Sequence, residues 1–84
     1  MALTQEEIQI KIYSILAEVS GLEFGQLVPE AYLVGTLGLD SLDLYKLASR
    51  LEEAFGIVIE DEEMNRTRTV GELEEMIAGK LPNL

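Results

Sequence analysis

The sequence has no cysteine and no histidine, only two prolines, and six basic residues against sixteen acidic ones in 84 positions. Each shortage removes a class of chemistry. Without Cys or His the chain cannot form disulfide or zinc staples, a Ser-His or Cys-His nucleophile pair, or an iron–sulfur cluster from its own residues. Most enzyme classes fall away with them. A chain this short is expected to make one domain, 1–84, close to the size where a single core barely suffices, so its stability must come from packed aliphatic side chains. The net charge of −10 repels phosphate backbones and anionic lipid, which makes nucleic acid and membrane surfaces poor partners and basic protein patches good ones. No stretch reaches the ~20 apolar residues of a membrane span, and Met1 to Glu7 lacks the basic and apolar regions of a signal peptide. The chain reads as cytoplasmic, or as a mature form whose address was removed. Its ends are not linker-like, which suggests a free-standing protein.

What is present is helical periodicity. Thr4 and Glu7 fit a Thr-x-x-Glu capping box ahead of Ile8, Ile12, Ile15, Leu16 and Val19, predicting a helix from about Gln5 to Val19 that stops at Ser20-Gly21. Ile10 and Tyr13 fall off that stripe. The stretch from Leu22 to Asp40 has no sustained period, yet it is too apolar for a disordered linker and should lie against the core. Asp40-Ser41 opens a second helix that ends at Phe55-Gly56, with Leu44, Leu47, Ala48, Leu51, Ala54 and Phe55 on one face and Leu42 on the opposite one. Ile57 to Ile59 tethers it to the acidic run Glu60 to Glu63, which is expected to form one helical turn through Met64. Thr69 and Glu72 make a second capping box, predicting a helix from Val70 to Ala78 closed by Gly79 and Pro82. The expected fold is all-α: a small bundle of three main helices plus a short helical turn, with a long first loop.

Charge is uneven: residues 1–39 sum to −4, residues 40–63 to −6 and residues 64–84 to zero. On composition alone, a solvated helix face explains such a run better than a docking surface does. Glu60 to Glu63 lack the alternating ligands and mid-loop glycine of a calcium loop, so no metal site is expected. Ser41 is the informative position. As a helix cap it would need no further explanation. As a hydroxyl at a helix N-terminus it cannot activate itself, since the chain offers no base, but it could accept a phosphate-linked group from another enzyme. There the helix dipole would favour a phosphodiester by about 0.3–1 kcal/mol, with Asp40 and Asp43 opposing.

Leu37-Gly38-Leu39-Asp40-Ser41-Leu42-Asp43, then Leu51-Glu52-Glu53-Ala54-Phe55-Gly56-Ile57 and Thr69-Val70-Gly71-Glu72-Leu73, resembles an acyl carrier protein, with Pro29-Glu30-Ala31 in the first loop also in place. The resemblance covers nearly the whole chain. It implies a non-enzymatic monomeric carrier whose Ser41 bears 4'-phosphopantetheine, installed from coenzyme A by a Mg²⁺-dependent phosphopantetheinyl transferase. Acyl groups would ride on the arm's thiol as thioesters, loaded by a ligase or acyltransferase and presented to fatty-acid, polyketide or related synthesis enzymes with basic docking patches. It also implies partner recognition by Asp40, Leu42, Asp43, Tyr45, Lys46, Arg50, Glu52, Glu53 and Glu60. Leu44, Leu47, Leu51, Ile59 and Met76 become candidates for sheltering the acyl chain, although each reads equally well as plain core.

Lys46 stands where fatty-acid carriers usually have an acid, Arg50 adds a second positive charge, Tyr45 is bulkier than the usual aliphatic, and Gly35-Thr36 replaces a common acidic pair. These departures point to a specialised carrier with dedicated partners. Two other readings stay open: a carrier for an amino acid, of the peptidyl or D-alanyl type, and an unmodified acidic helical adaptor. The adaptor predicts that Ser41→Ala costs about 0.5–2 kcal/mol as a lost cap and leaves function intact.

Overall fold

Residues 3–81 are described by a computed structural model. Helix formation follows the local signals closely. Thr4 Oγ1 accepts the Glu7 N–H at 3.1 Å while the Glu7 carboxylate accepts the Thr4 N–H at 2.9 Å, and this reciprocal cap opens α1, Gln5–Ser20. Helix α2 spans Ser41–Phe55 and stops where Gly56 turns to φ 66°, a left-handed geometry that costs glycine little. A short helix, α3, covers Asp61–Arg66, slightly longer than the single turn expected. Helix α4, Val70–Lys80, is opened by Thr69 and Glu72 as predicted, but it runs through Gly79 rather than closing there. Pro82, the other expected stop, lies outside the described residues.

Helix α1 is the centre of the bundle and packs on both α2 and α4. Its Ile12 and Leu16 meet Leu47 and Leu51 of α2 and Val70, Leu73 and Ile77 of α4 in a fully buried cluster. Each such side chain gains about 1.5–3 kcal/mol from leaving water. Two positions depart from the pattern read along the helices. Ala54, placed by periodicity on the buried face of α2, is exposed near the end of the helix. Tyr13, off the stripe of α1, is half-buried, stacks edge-on against Phe24 at 6.2 Å and directs its hydroxyl to Glu74. Ile10 stays exposed, and nothing in the structure explains it.

The long connection before α2 does lie on the core, through Leu27, Ala31, Leu33, Leu37 and Leu39. It begins with a 3₁₀ turn, Phe24–Gln26, and is then stitched to the α3–α4 junction by backbone bonds. Leu33 N–H donates to Arg68 O at 2.8 Å, Val70 N–H to Ala31 O at 3.0 Å, and Gly71 N–H to Pro29 O at 3.0 Å. Tyr32 and Thr69 form an isolated antiparallel bridge. A Cβ at Gly71 would come within 3.2 Å of Pro29 O, so the missing side chain is what lets the loop approach.

Helix α3 is held from the far side of the bundle. The Glu63 carboxylate accepts the Glu60 N–H at 3.0 Å and pairs with Lys80 Nζ at 2.8 Å. The Lys80 ammonium first, and the Glu60 N–H second, hold its pKa below the usual glutamate value of 4.5. A carboxyl whose native pKa is depressed contributes its stability in full above the unfolded value and loses it as pH falls through the native one. Removing the cation should therefore matter near neutral pH and cease to matter in acid. Lys80→Met is expected to lower the melting temperature at about pH 7 and to converge on wild type by about pH 3, in a melting series across that range. Parallel curves at every pH would mean that the pair contributes nothing.

Candidate functional site

The approach to α2 is rigid because its alternate residues are anchored. Leu37 and Leu39 are buried, the Gly38 N–H donates to Val34 O at 3.0 Å, and the Leu39 N–H donates to Leu33 O at 3.1 Å. Between the two leucines Gly38 adopts φ 74°, which an L side chain reaches only at a cost of about 1–2 kcal/mol. Gly38→Ala should lower the unfolding free energy by about that amount. Chemical denaturation monitored by circular dichroism measures it, and an unchanged midpoint would mean the turn can be made another way.

That turn delivers Asp40 to the cap of α2. Asp40 Oδ1 accepts the Asp43 N–H at 2.8 Å, and Asp43 Oδ2 accepts the Asp40 N–H at 3.1 Å. The bond from the Asp43 backbone is the main reason the Asp40 carboxyl sits below its ordinary pKa. Of the two uses open to Ser41, the cap is taken by its neighbour: the carboxylate one residue earlier holds it, and Ser41 is the first helical residue. Its hydroxyl is exposed and plays no part in the capping bonds.

Around Ser41 the surface is part apolar and part charged. Leu42 is 61 % exposed and Tyr45 69 % exposed on the outer face of α2. Lys46 lies beside them, exposed, and Glu53 is exposed two turns further along. Besides Asp40 and Asp43, bound in the cap, two more of the expected recognition residues are committed within the chain. Arg50 pairs with Glu18 of α1, and Glu52 is half-buried with its carboxylate accepting the Ile59 N–H at 2.8 Å, which ties the α2–α3 connection down. Glu60 is exposed at the start of α3. Among the described residues no group of three or more carboxylates gathers to hold a metal ion.

A cleft of about 320 Å³ opens at Ser41 between α2 and α3, lined by Leu44, Tyr45, Ala48, Ile59, Asp61, Met64 and Asn65. Of the five residues expected to shelter an acyl chain, Leu44 and Ile59 line it. Leu47 and Leu51 are sealed beneath in the core, and Met76 lines a separate cleft with Arg66 and Glu72. A neighbouring cleft of about 330 Å³ shares Leu44, Met64 and Asn65 and continues to Tyr32, Val34 and Arg68. Sequence reasoning missed Met64 and Asn65 because they lie on the short helix, whose face no periodicity of six residues defines. Ala48 had a signal, its place on the stripe of α2.

Residues 11–77 match the family model described as the phosphopantetheine attachment site. Over 78 residues the chain is 38 % identical to an acyl carrier protein of Thermotoga maritima, covering 93 % of this chain and 96 % of that one. It is 41 % identical over 73 residues to a meromycolate extension acyl carrier protein of Mycobacterium leprae, covering 87 % of this chain but only 64 % of the relative. A protein of the same name from Mycolicibacterium smegmatis is 40 % identical over 73 residues, 74 % of its length. The chain belongs to the acyl carrier protein family. It is therefore a carrier and not an enzyme, and the group it carries covalently is 4'-phosphopantetheine. The residues at the head of α2 fit that group: an exposed primary hydroxyl not used by the cap, at the positive end of a 15-residue helix and beside a cleft of mixed polar and apolar lining. Among the described residues no helix is long and apolar enough to cross a membrane.

Proposed function

We propose that Ser41 is the attachment point of the 4'-phosphopantetheine arm and that the chain carries acyl groups on it as thioesters, with 1–84 acting as one carrier domain in the cytoplasm. Attached there, the group supplies the thiol that a chain without cysteine lacks. The observation that carries the assignment is the division of labour at the start of α2, where Asp40 and Asp43 complete the cap and leave the Ser41 hydroxyl free. The free hydroxyl supports this reading over an adaptor in which Ser41 serves only as a cap. No histidine is present and the Asp40 and Asp43 carboxylates beside the hydroxyl are engaged in the cap, which supports a base supplied by the phosphopantetheinyl transferase.

The exposed Leu42 and Tyr45 beside the hydroxyl support docking of that transferase, of a loading ligase or acyltransferase, and of synthesis enzymes on the outer face of α2. The acidic balance of residues 40–63 supports basic patches on those partners. Relatives named for meromycolate extension support a specialised acyl cargo. The test is the intact mass after incubation with coenzyme A, Mg²⁺ and a broad-specificity transferase. One added phosphopantetheine, located on the Ser41 peptide, is expected. No addition to the folded protein with several transferases would remove the assignment.

A further inference from the structure

The two cations of α2 are not equivalent. Arg50 is closed by Glu18 on the neighbouring helix, whereas Lys46 is exposed and has no ion pair among the described residues. Asp43, one turn before it, and Asp40 at the cap hold their carboxylates on backbone N–H groups; Asp40 feels the Lys46 charge, but neither carboxylate forms an ion pair with it. Leu42 joins the two other exposed side chains, Tyr45 three residues on and Lys46 four residues on, since residues at these spacings are neighbours on a helix surface. The patch is therefore an exposed leucine, an exposed tyrosine and an ammonium with no ion pair among the described residues, within a segment of net negative charge.

We infer that the enzyme surface docking on α2 is of mixed sign: basic around its edge, with a carboxylate opposite Lys46 and an apolar socket for Leu42 and Tyr45. This rests on the carrier reading above and specifies the partner it needs. A uniformly basic patch would bring a cation against Lys46, and like charges held together at an interface are a means of rejecting a partner. A single carboxylate at that point turns the rejection into attraction without disturbing the contacts to the surrounding acids. Arg50 makes no comparable demand, since its charge is already answered.

The probe is a β-ketoacyl synthase whose carrier-docking patch is wholly basic, together with variants in which each patch Lys or Arg is changed to Glu in turn. The carrier is first modified on Ser41 and acylated, with the mass of each step recorded, so that failure of the carrier reading appears as a missing mass gain before any docking is measured. With the loaded wild type, one synthase variant is expected to gain about tenfold in kcat/KM over its parent, and the gain should shrink as salt is raised. The gain should vanish with the K46E carrier and persist with R50Q, both shown to be folded by melting. The inference is overturned if no variant gains, if the gain survives K46E, or if R50Q abolishes it equally.

Discussion

Ser41→Ala is expected to abolish phosphopantetheine attachment completely while leaving the melting temperature within about 2–4 °C of wild type. The two halves of this result have separate physical causes. Attachment needs a hydroxyl, and Ser41 supplies the one at the exposed first position of α2. Stability depends instead on Asp40, whose carboxylate accepts the Asp43 N–H at 2.8 Å. Alanine is also the better helix former at a helical position, so the small change could favour the variant. Asp40→Ala makes the opposite cut: it removes the cap, costs about 0.5–2 kcal/mol and leaves the hydroxyl at position 41 in place. Intact mass and a melting curve on the two variants separate chemistry from stability. A large loss of stability in Ser41→Ala would return the cap to Ser41 and undo the argument for a free hydroxyl.

The same cap shows where the sequence could be read and where it could not. Thr4 with Glu7 and Thr69 with Glu72 are local signals, three residues apart, and both caps are in place. Asp40 and Ser41 are adjacent and chemically suited to the same job, so position alone could not choose between them. Asp43, three residues after Asp40, was the available clue, since a carboxylate at that spacing can close the box from the other side. Helix boundaries, the buried stripe of α2 and the exposure of Leu42 follow from local geometry and were legible. Pairings such as Arg50 with Glu18, 32 residues apart, were not, and neither was the commitment of Glu52 to Ile59. They depend on how helices sit against one another, which no helical period encodes. For the same reason Leu44 and Leu47, both on one stripe, could not be told apart until α3 was placed over the former.

That distinction predicts a second large effect. Leu47→Ala removes a side chain with no solvent exposure from the junction of α1, α2 and α4, and substitutions of this kind cost about 2–5 kcal/mol. Small domains hold about 5–15 kcal/mol in all, and each kcal/mol moves the midpoint of a domain this size by about 4–8 °C. A fall in melting temperature of roughly 8–40 °C is therefore expected. Leu44 is only half-buried and forms the wall common to the two clefts along α2 and α3. Leu44→Ala should cost clearly less, keep Ser41 modifiable, and widen the space beside it. Acylated forms of increasing chain length then give a second readout: chains that enter the clefts raise the melting temperature of the carrier, because a ligand bound only by the folded state stabilises it. Leu44→Ala should alter that dependence on chain length, while Leu47→Ala should lower every form by a similar amount. Equal destabilisation by the two substitutions, with the same chain-length dependence, would mean that α3 does not divide the stripe of α2 into a sealed part and an accessible one.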